Sequence, residues 1–413
     1  MKYNRNWLII LFCFLGTITN AQKIAGIDVE LAESTRGLKI PVSLNLDAIT
    51  FQADSLLSLV QIKNGSREEV PFQIEQGEER KLYWFVSNDS GDSQTLHFEL
   101  ESKKSNPIDE MKIKKDGETL VISSKDNHLL SYQYATMYPP AGVDSAFQRS
   151  GFIHPLWTPH GQVLTRVQPP DHYHHYGIWN PWTHVLFEGD TIDFWNLVKK
   201  EGTVRFAKFT STESGSVFSE YDALHEHVVF KNESEKVALN EIQSVRVYQP
   251  QTNQDCFIVD LVMKYNCTTE SPVTLLEYRY EGFGWRTTEK WDKNNSEVLS
   301  SQGKDRIGVD GSKERWAIVQ GELDDDYGGV VMMSYPSNYN HPEPMRVWPI
   351  NQYDRGDMFA SFSTTKDTDW HLEPEKDYVL KYRLLVFNGK MTSEKAEVAW
   401  QYFAHPPKIT VNK

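Results

Sequence analysis

The chain has 413 residues, with 43 Lys and Arg against 57 Asp and Glu, and therefore a net charge of −14 when histidine is neutral. Surfaces that bind nucleic acid or anionic membranes carry clustered Lys and Arg, and the sequence has no such cluster, so this composition disfavours both kinds of partner. Aromatic residues make up 12% of the chain, including 12 Trp and 19 Tyr. This content is typical of β-sandwiches, and it also suits clefts in which flat rings stack against sugars.

Residues 1–21 predict a cleavable secretory signal. Lys2 and Arg5 precede the apolar run 7–15, and the small-residue pattern Thr19-Asn20-Ala21 follows it. This run is too short to span a bilayer, and no later stretch approaches the roughly 18 to 20 apolar residues that a transmembrane helix needs. We therefore expect a periplasmic or secreted protein that does not insert into a membrane.

The pattern that follows predicts an all-β protein of two domains. Short alternating runs separated by turn residues predict strands in the N-terminal part, at 39–46, 56–63 and 82–86. The polar cluster 101–107, which ends in Pro107, is the best linker candidate. We therefore expect a small N-terminal β-sandwich at 22–107 and a second domain at 108–413.

Longer strand-like runs recur in the second domain. They lie at 129–137, 204–211, 218–230, 238–248, 256–266, 273–280, 329–334, 358–363 and 378–387. Only 393–403 has helical spacing, with Ser393 as the expected N-cap. This pattern predicts a large antiparallel β-sandwich. Cys256 and Cys267 fall in or beside one predicted strand, and the sequence leaves open whether they pair.

The strand pattern stops between residues 152 and 197, and this irregular segment is rich in histidine. It contains His154, His160, His172, His174, His175 and His184. Long irregular loops inside compact domains are usually functional. Pro169 and Pro170 stiffen the chain just before Asp171. An extended conformation would place His172 and His174 on one face and Asp171 and His175 on the other, with His154 approaching from the preceding strand.

Three interpretations of this cluster remain open. Histidines paired with Asp or Glu can transfer protons near neutral pH. Two or three imidazoles with a carboxylate can instead hold a divalent metal. A hydrogen-bonded structural loop would use the same residues to satisfy backbone groups.

Two other segments have polar residues that could join such a cleft. Glu277, Arg279 and Glu281 alternate, which predicts that they share one face of a strand, although a solvent-exposed salt-bridge ladder has the same pattern. The turn-rich loop 336–342 leads to Arg346 and Trp348 and is typical of a cleft wall.

Several motifs resemble those of the DUF6807 family. They are Gly142-Val143-Asp144, the run 149–156, Pro169-Pro170-Asp171-His172-Tyr173-His174-His175, Asp193-Phe194-Trp195-Asn196, Gly282-Phe283-Gly284-Trp285-Arg286, Gly303-Lys304-Asp305-Arg306 and Pro336-Ser337-Asn338. The resemblance extends from about residue 129 to residue 387. Family members are often labelled "PmoA-like" or "methane oxygenase PmoA", but a membrane-bound oxygenase subunit needs several transmembrane helices, and this sequence predicts none after residue 21.

The resemblance also implies a fold and a substrate class. Such proteins are similar to the galactose-mutarotase-like supersandwich, and they often occur beside sugar oxidoreductases in glycan-degrading bacteria. In supersandwich enzymes, a histidine with a carboxylate or tyrosine transfers protons at a sugar ring. His160 departs from the family pattern, and we leave it outside the expected site.

We therefore expect an exported carbohydrate-active enzyme, a glycoside hydrolase or lyase, that acts on a glycan fragment. The expected catalytic residues are His172, His174, His175, Asp171 and Glu277. The expected substrate-binding residues are His154, Trp179, Trp195, Arg279, Asn338, His341, Arg346 and Trp348. A divalent metal at the histidine cluster is the one cofactor considered, and the alternative function is a non-catalytic glycan-binding protein of a polysaccharide-utilisation system.

Overall fold

Antiparallel strands make up most of the described chain. The computed structural model describes residues 22–32, 38–88, 92–104, 110–231, 233–250 and 255–412. The predicted signal at 1–21 lies outside the described residues, as does the predicted domain boundary between residues 107 and 108.

Seventeen strands precede residue 250 in the described chain. The first seven are β1 Gln22–Leu31, β2 Lys39–Asn45, β3 Leu57–Lys63, β4 Ser66–Glu69, β5 Phe72–Glu75, β6 Lys81–Ser87 and β7 Gln94–Ser102. The next ten are β8 Met111–Asp116, β9 Thr119–Ser124, β10 Asn127–Gln133, β11 Phe152–Leu156, β12 Ile178–Trp179, β13 Val185–Phe187, β14 Asp190–Ile192, β15 Gly202–Ser214, β16 Phe218–Lys231 and β17 Ser234–Tyr248. Short 3₁₀ helices lie at Asp54–Leu56, Ser145–Phe147 and Leu197–Lys199.

The remainder of the chain adds twelve strands and a helix. These are β18 Cys256–Cys267, β19 Val273–Leu275, β20 Phe283–Arg286, β21 Ser296–Ser300, β22 Lys313–Glu314, β23 Trp316–Leu323, β24 Asp326–Ser334, β25 Glu343–Val347, β26 Phe359–Phe362, β27 Trp370–Leu372, β28 Tyr378–Asn388, α1 Ser393–Ala404 and β29 Lys408–Asn412. Thr392, not Ser393, caps the helix, because its hydroxyl accepts the Lys395 amide.

Two small sheets form an N-terminal sandwich. Their strand orders are β29-β1-β7-β3-β4 and β2-β6-β5. Their shared apolar core includes the fully buried Trp84 and Leu100. The last strand of the chain pairs with the first, with Ile27 opposite Val411. The N-terminal sandwich therefore includes residues 408–412, which the predicted division at 107/108 assigned to the second domain.

Two large antiparallel sheets pack on one another to form the main core. One has nine strands in the order β22-β25-β26-β20-β12-β11-β10-β9-β8, and the other has eight in the order β15-β16-β17-β18-β28-β24-β23-β21. Strand β18 is typical, because Val259, Leu261, Met263 and Tyr265 alternate into the core. A four-stranded sheet, β14-β13-β19-β27, extends this core. The predicted all-β sandwich is confirmed.

Several local predictions need correction. The strand predicted at 273–280 ends at Leu275, and the linker predicted from residue 101 begins later because β7 continues to Ser102. Cys256 and Cys267 occupy the two ends of β18, and no disulfide joins them. None of the helices in the described parts of the chain has the length and apolarity required to cross a membrane.

The segment 152–197 is not wholly irregular, since it contributes the short strands β11 to β14. Ile178 pairs with Ile153 on one side and Trp285 on the other. Gly177, immediately before it, has a φ of +56°, and a Cβ there would lie 2.2 Å from the Ile153 carbonyl oxygen. Only glycine allows this close approach, which anchors the histidine-containing loop to the nine-stranded sheet.

Candidate functional site

Two tight turns bring three histidines together. The His172 amide donates to the Pro169 carbonyl at 2.8 Å, and the His175 amide donates to the His172 carbonyl at 3.1 Å. The turns replace the extended conformation expected from the sequence, so the prediction that His172 and His175 lie on opposite faces is wrong. The rings of His172, His174 and His175 have centroids 4.6 to 5.1 Å apart. One nitrogen from each ring lies within 4.8 Å of the others.

Asp171 supports this cluster from behind. Its Oδ2 accepts hydrogen bonds from His172 Nδ1 at 3.0 Å and from Arg286 Nη2 at 2.8 Å. Burial opposes ionisation of Asp171, but the hydrogen bond from His172 and the charge of Arg286 outweigh it and hold the pKa of Asp171 well below its usual range. Because an ionised carboxylate only accepts hydrogen bonds, Nδ1 of His172 carries a proton, and in the neutral imidazole this leaves Nε2 as the acceptor.

Tyr353 contacts the other side of His172. Its hydroxyl lies 3.2 Å from Nε2 and therefore donates to it. Asp171, His172 and Tyr353 thus form a hydrogen-bonded row. The Tyr353 side chain is 50% exposed, so the row ends in the cleft.

The loop that carries Tyr353 is held by Arg306. This buried guanidinium donates to the carbonyls of Trp348 at 3.0 Å, Gly356 at 2.8 Å and Asp357 at 2.7 Å. Burial lowers the pKa of Arg306 to about 10, so the group is charged at neutral pH. Three charge-assisted hydrogen bonds from one side chain therefore fix both ends of the loop.

A cleft of about 340 Å³ opens above the histidines, within the size range of small-molecule sites. Its lining consists of His172, His174, His175, Trp195, Asn196, Arg279, Tyr280, Arg346, Trp348, Gln352, Tyr353 and Phe359. Aromatic side chains form much of the wall, and Trp179 packs below, 5.1 Å from the His175 ring and 5.2 Å from the Trp195 ring.

Asp193 positions one edge of the cleft. Its Oδ1 accepts the amides of Trp195 at 2.9 Å and Asn196 at 2.7 Å. The Asn196 side chain in turn donates to the Tyr280 hydroxyl at 3.2 Å. Asp193 is 1% exposed and pairs with Lys199, so it supports the wall and does not line it.

His174 and His175 are neutral at pH 7, and Arg279 and Arg346 supply positive charge to the cleft. Burial, together with the neighbouring His172, lowers the pKa of His174 to about 4, and burial holds the pKa of His175 well below its ordinary value. Burial raises the pKa of Tyr280 to about 12, so this phenol is protonated at neutral pH. Arg279 is exposed at the rim, and Arg346 pairs with Asp310 at 2.9 Å.

Seven of the predicted site residues line this cleft: His172, His174, His175, Trp195, Arg279, Arg346 and Trp348. Asp171 and Trp179 support it from behind. His154 does not reach it, because its Nδ1 is 2.8 Å from the Thr165 hydroxyl, and burial lowers its pKa to about 4. Glu277 is exposed, and the described residues that line the cleft do not include it.

Asn338 and His341 belong to a separate polar cluster around Glu343. The Asn338 amide donates to Glu343 Oε2 at 2.9 Å, and His341 Nδ1 lies 3.2 Å from the Ser334 hydroxyl. Glu343 also accepts the hydroxyls of Thr364 and Tyr382. The prediction that this loop forms a cleft wall is therefore wrong for Asn338 and His341.

The prediction that Glu281 shares a strand face with Glu277 and Arg279 is also wrong. The chain leaves the strand after Leu275, so Glu277, Arg279 and Glu281 share no strand face. Glu281 is fully buried, where it accepts the Thr365 hydroxyl and the Thr183 amide. Burial raises its pKa to about 8.

Sequence reasoning missed Arg286, Arg306, Tyr280, Gln352, Tyr353, Asn196 and Phe359. Arg286 and Arg306 lie in motifs that carry the family resemblance, so those motifs could have indicated that the two arginines belong to the site. Tyr353 lies in a turn-rich segment without a distinguishing pattern.

One family model matches residues 119–401, which is more than half of the chain, and it describes a family of unknown function, DUF6807. The chain belongs to the DUF6807 family. The resemblance noted over residues 129–387 is thereby confirmed and extended at both ends. The family match covers the histidine turn, both arginines and the loop of Tyr353. No curated protein matches this DUF6807 chain.

Proposed function

We propose that this protein is an exported carbohydrate-active enzyme that cleaves a glycan fragment by elimination. The observation that carries the proposal is the row Asp171-His172-Tyr353, with contacts of 3.0 and 3.2 Å, ending in an aromatic-walled cleft. A hydroxyl bonded to a histidine that a carboxylate orients is a typical unit for proton transfer.

The cleft lining favours elimination over hydrolysis. Glycosidases generally use two carboxyl groups roughly 5 to 10 Å apart, both facing the sugar. None of the described residues that line this cleft is Asp or Glu. Asp171 and Asp193, just behind the lining, are engaged with Arg286 and Lys199.

Elimination requires a base and positive charge instead. The base removes a proton from the carbon next to a carbonyl or carboxylate, the bond from the neighbouring carbon to the leaving oxygen breaks, and a C=C bond forms. Tyr353, whose hydroxyl lies 3.2 Å from His172 Nε2, is placed to pass the proton from the substrate carbon to that imidazole and to return a proton to the leaving oxygen. Arg279 and Arg346 provide charge that would bind a uronate carboxylate or a developing enolate.

Sugar recognition is assigned to the aromatic wall. Tyr280 and Tyr353 are partly exposed in the lining and can pack on the C–H face of a sugar, whereas Trp195 and Trp348 are 1% and 6% exposed and support the wall. The packing of an eight-stranded sheet on a nine-stranded sheet supports the supersandwich-like relationship expected from the sequence. The basic and apolar residues at 2–15 support export of the protein. N-terminal sequencing of protein recovered from the periplasm and the medium would test whether the signal is removed.

The decisive experiment is a product-mass screen. The protein is incubated with uronate-containing oligosaccharides and with keto-sugar glycosides. In elimination the two product masses sum to the substrate mass, whereas hydrolysis adds one water. We expect Tyr353→Phe to abolish cleavage and Tyr138→Phe, which changes an exposed tyrosine outside the cleft lining, to leave it unchanged.

Other outcomes would replace the proposal. Addition of water would assign a hydrolase. Binding without turnover of any substrate, weakened by Trp348→Ala, would assign a glycan-binding protein.

A further inference from the structure

We infer that His172, His174 and His175 form a three-histidine site for one divalent first-row transition-metal ion. The three donor nitrogens lie within 4.8 Å of one another on the floor of the cleft. Nitrogens around a tetrahedral ion with bonds of about 2.0 to 2.1 Å are about 3.4 Å apart, so small side-chain rotations would close the site.

The surroundings of His172 match those of a metal ligand. Metal-bound histidines almost always donate their other ring N–H to a carboxylate or carbonyl, which fixes the tautomer. Here Nδ1 of His172 donates to Asp171, and Asp171 is held by the buried Arg286. Nε2, which lies 3.2 Å from the Tyr353 hydroxyl on the cleft side, is thus the nitrogen available to a cation.

The burial of His175 is an independent indication. This side chain is 2% exposed, yet its Nδ1 has no hydrogen-bond partner among the described residues. A buried ring nitrogen without a partner is costly unless a ligand or ion accompanies it. A cation shared with His172 and His174 gives this ring a polar partner.

The donor set and the cleft define the class of ion. Imidazole donors suit Zn²⁺, Co²⁺, Ni²⁺ and Cu²⁺, whereas Mg²⁺ and Ca²⁺ prefer oxygen donors. Sites with three protein ligands keep a position open for water or substrate. The open side here is the 340 Å³ cleft.

The role of the ion rests on the proposed function. A cation at this position would bind the carbonyl or carboxylate oxygen of the substrate and stabilise the negative charge that develops as the proton leaves. A cation on Nε2 would replace the hydrogen bond between His172 and Tyr353, and the tyrosine hydroxyl would then be free to donate its proton to the leaving oxygen.

Metal binding is measured on the full mature chain without substrate. Protein stripped with a chelator is titrated with Zn²⁺ and with Co²⁺, following bound metal by elemental analysis and Co²⁺ by its visible absorption. We expect one equivalent in the wild type, loss of this stoichiometric binding in His174→Ala, and no change in His160→Ala, whose histidine is exposed and lies 2.9 Å from Asp326. Asp171→Asn should weaken binding about 10- to 100-fold.

The controls separate misfolding from loss of the site. Thermal unfolding in the presence of chelator shows whether each variant folds. If His174→Ala does not fold, His174→Gln is used in its place. Substoichiometric binding by the wild type, or equal binding by a folded His174 variant, overturns the inference. Cleavage that persists in the stripped protein overturns the role of the ion in the reaction while leaving the proposed elimination intact, and stoichiometric binding without any cleavage supports the metal site and removes the proposed function.

Discussion

Arg286 and Asp171 form the ion pair that joins the two sides of the cleft. Arg286 Nη2 lies 2.8 Å from Asp171 Oδ2 and 3.3 Å from Asp357 Oδ2, and the guanidinium is 1% exposed. The same guanidinium lies 4.6 Å from the ring centroid of Trp348. One buried cation therefore contacts both the histidine turn and the loop that carries Tyr353.

We expect Arg286→Gln to destabilise the protein by about 3 kcal/mol, because it leaves the partly buried carboxylate of Asp171 without an arginine, while Asp357 keeps Arg355 at 2.5 Å. Urea denaturation measures this difference. Arg205→Gln is the control, because Arg205 is 42% exposed and forms surface pairs that contribute about 1 kcal/mol or less. Equal stability losses in the two variants would show that the buried pair does not support the cleft.

Arg306→Met is expected to loosen the loop at 349–356. The variant removes the donors to three carbonyls, and each carbonyl left without a partner costs about 1 to 3 kcal/mol when it stays buried. We expect faster proteolysis within the loop and a lower kcat/KM for cleavage. Arg67→Met, on the N-terminal sheet, should change neither measurement, and an unaltered loop in Arg306→Met would contradict the assignment.

Most of the fold could be predicted because the long strands bury one face. Strands β16 and β18 alternate between buried and less buried positions, and their predicted bounds were nearly correct. Strand β23 was missed because seven of its eight residues are buried, which removes the alternation. Its outer face packs under α1, with Trp316 and Ile318 against Trp400.

The site could be predicted only where it is local in sequence. His172, His174 and His175 lie within four residues, and their grouping was evident, although the turns that make them converge were not. Tyr353 is 181 residues from His172, and Arg286 is 115 residues from Asp171. Contacts over such distances depend on sheet order, which a single sequence does not specify.

Glu281 should make stability fall as pH rises between about 4.5 and 8. Its pKa is raised by burial from an ordinary value of 4.5 to about 8, so in this window the folded chain keeps a proton that the unfolded chain has released. Ionisation of Glu281 then lowers the free energy of unfolding by about 1.4 kcal/mol for each pH unit in this window. Above about pH 8 and below about pH 4.5, the contribution of Glu281 no longer changes with pH. Glu281→Gln removes this dependence. The amide oxygen can keep one of the two bonds to Thr365 and Thr183, so we expect an added pH-independent loss of about 1 kcal/mol.

Urea denaturation of both proteins at pH 5, 6, 7 and 8 tests this expectation. The stability of the wild type should fall relative to that of Glu281→Gln as pH rises, so that the variant becomes the more stable protein at the upper end of the range. Glu277→Gln, at an exposed glutamate, should follow the wild type throughout. Parallel stability curves for the wild type and Glu281→Gln would mean that Glu281 is ionised in the folded protein, and that the bonds from Thr365 and Thr183 stabilise its carboxylate despite burial.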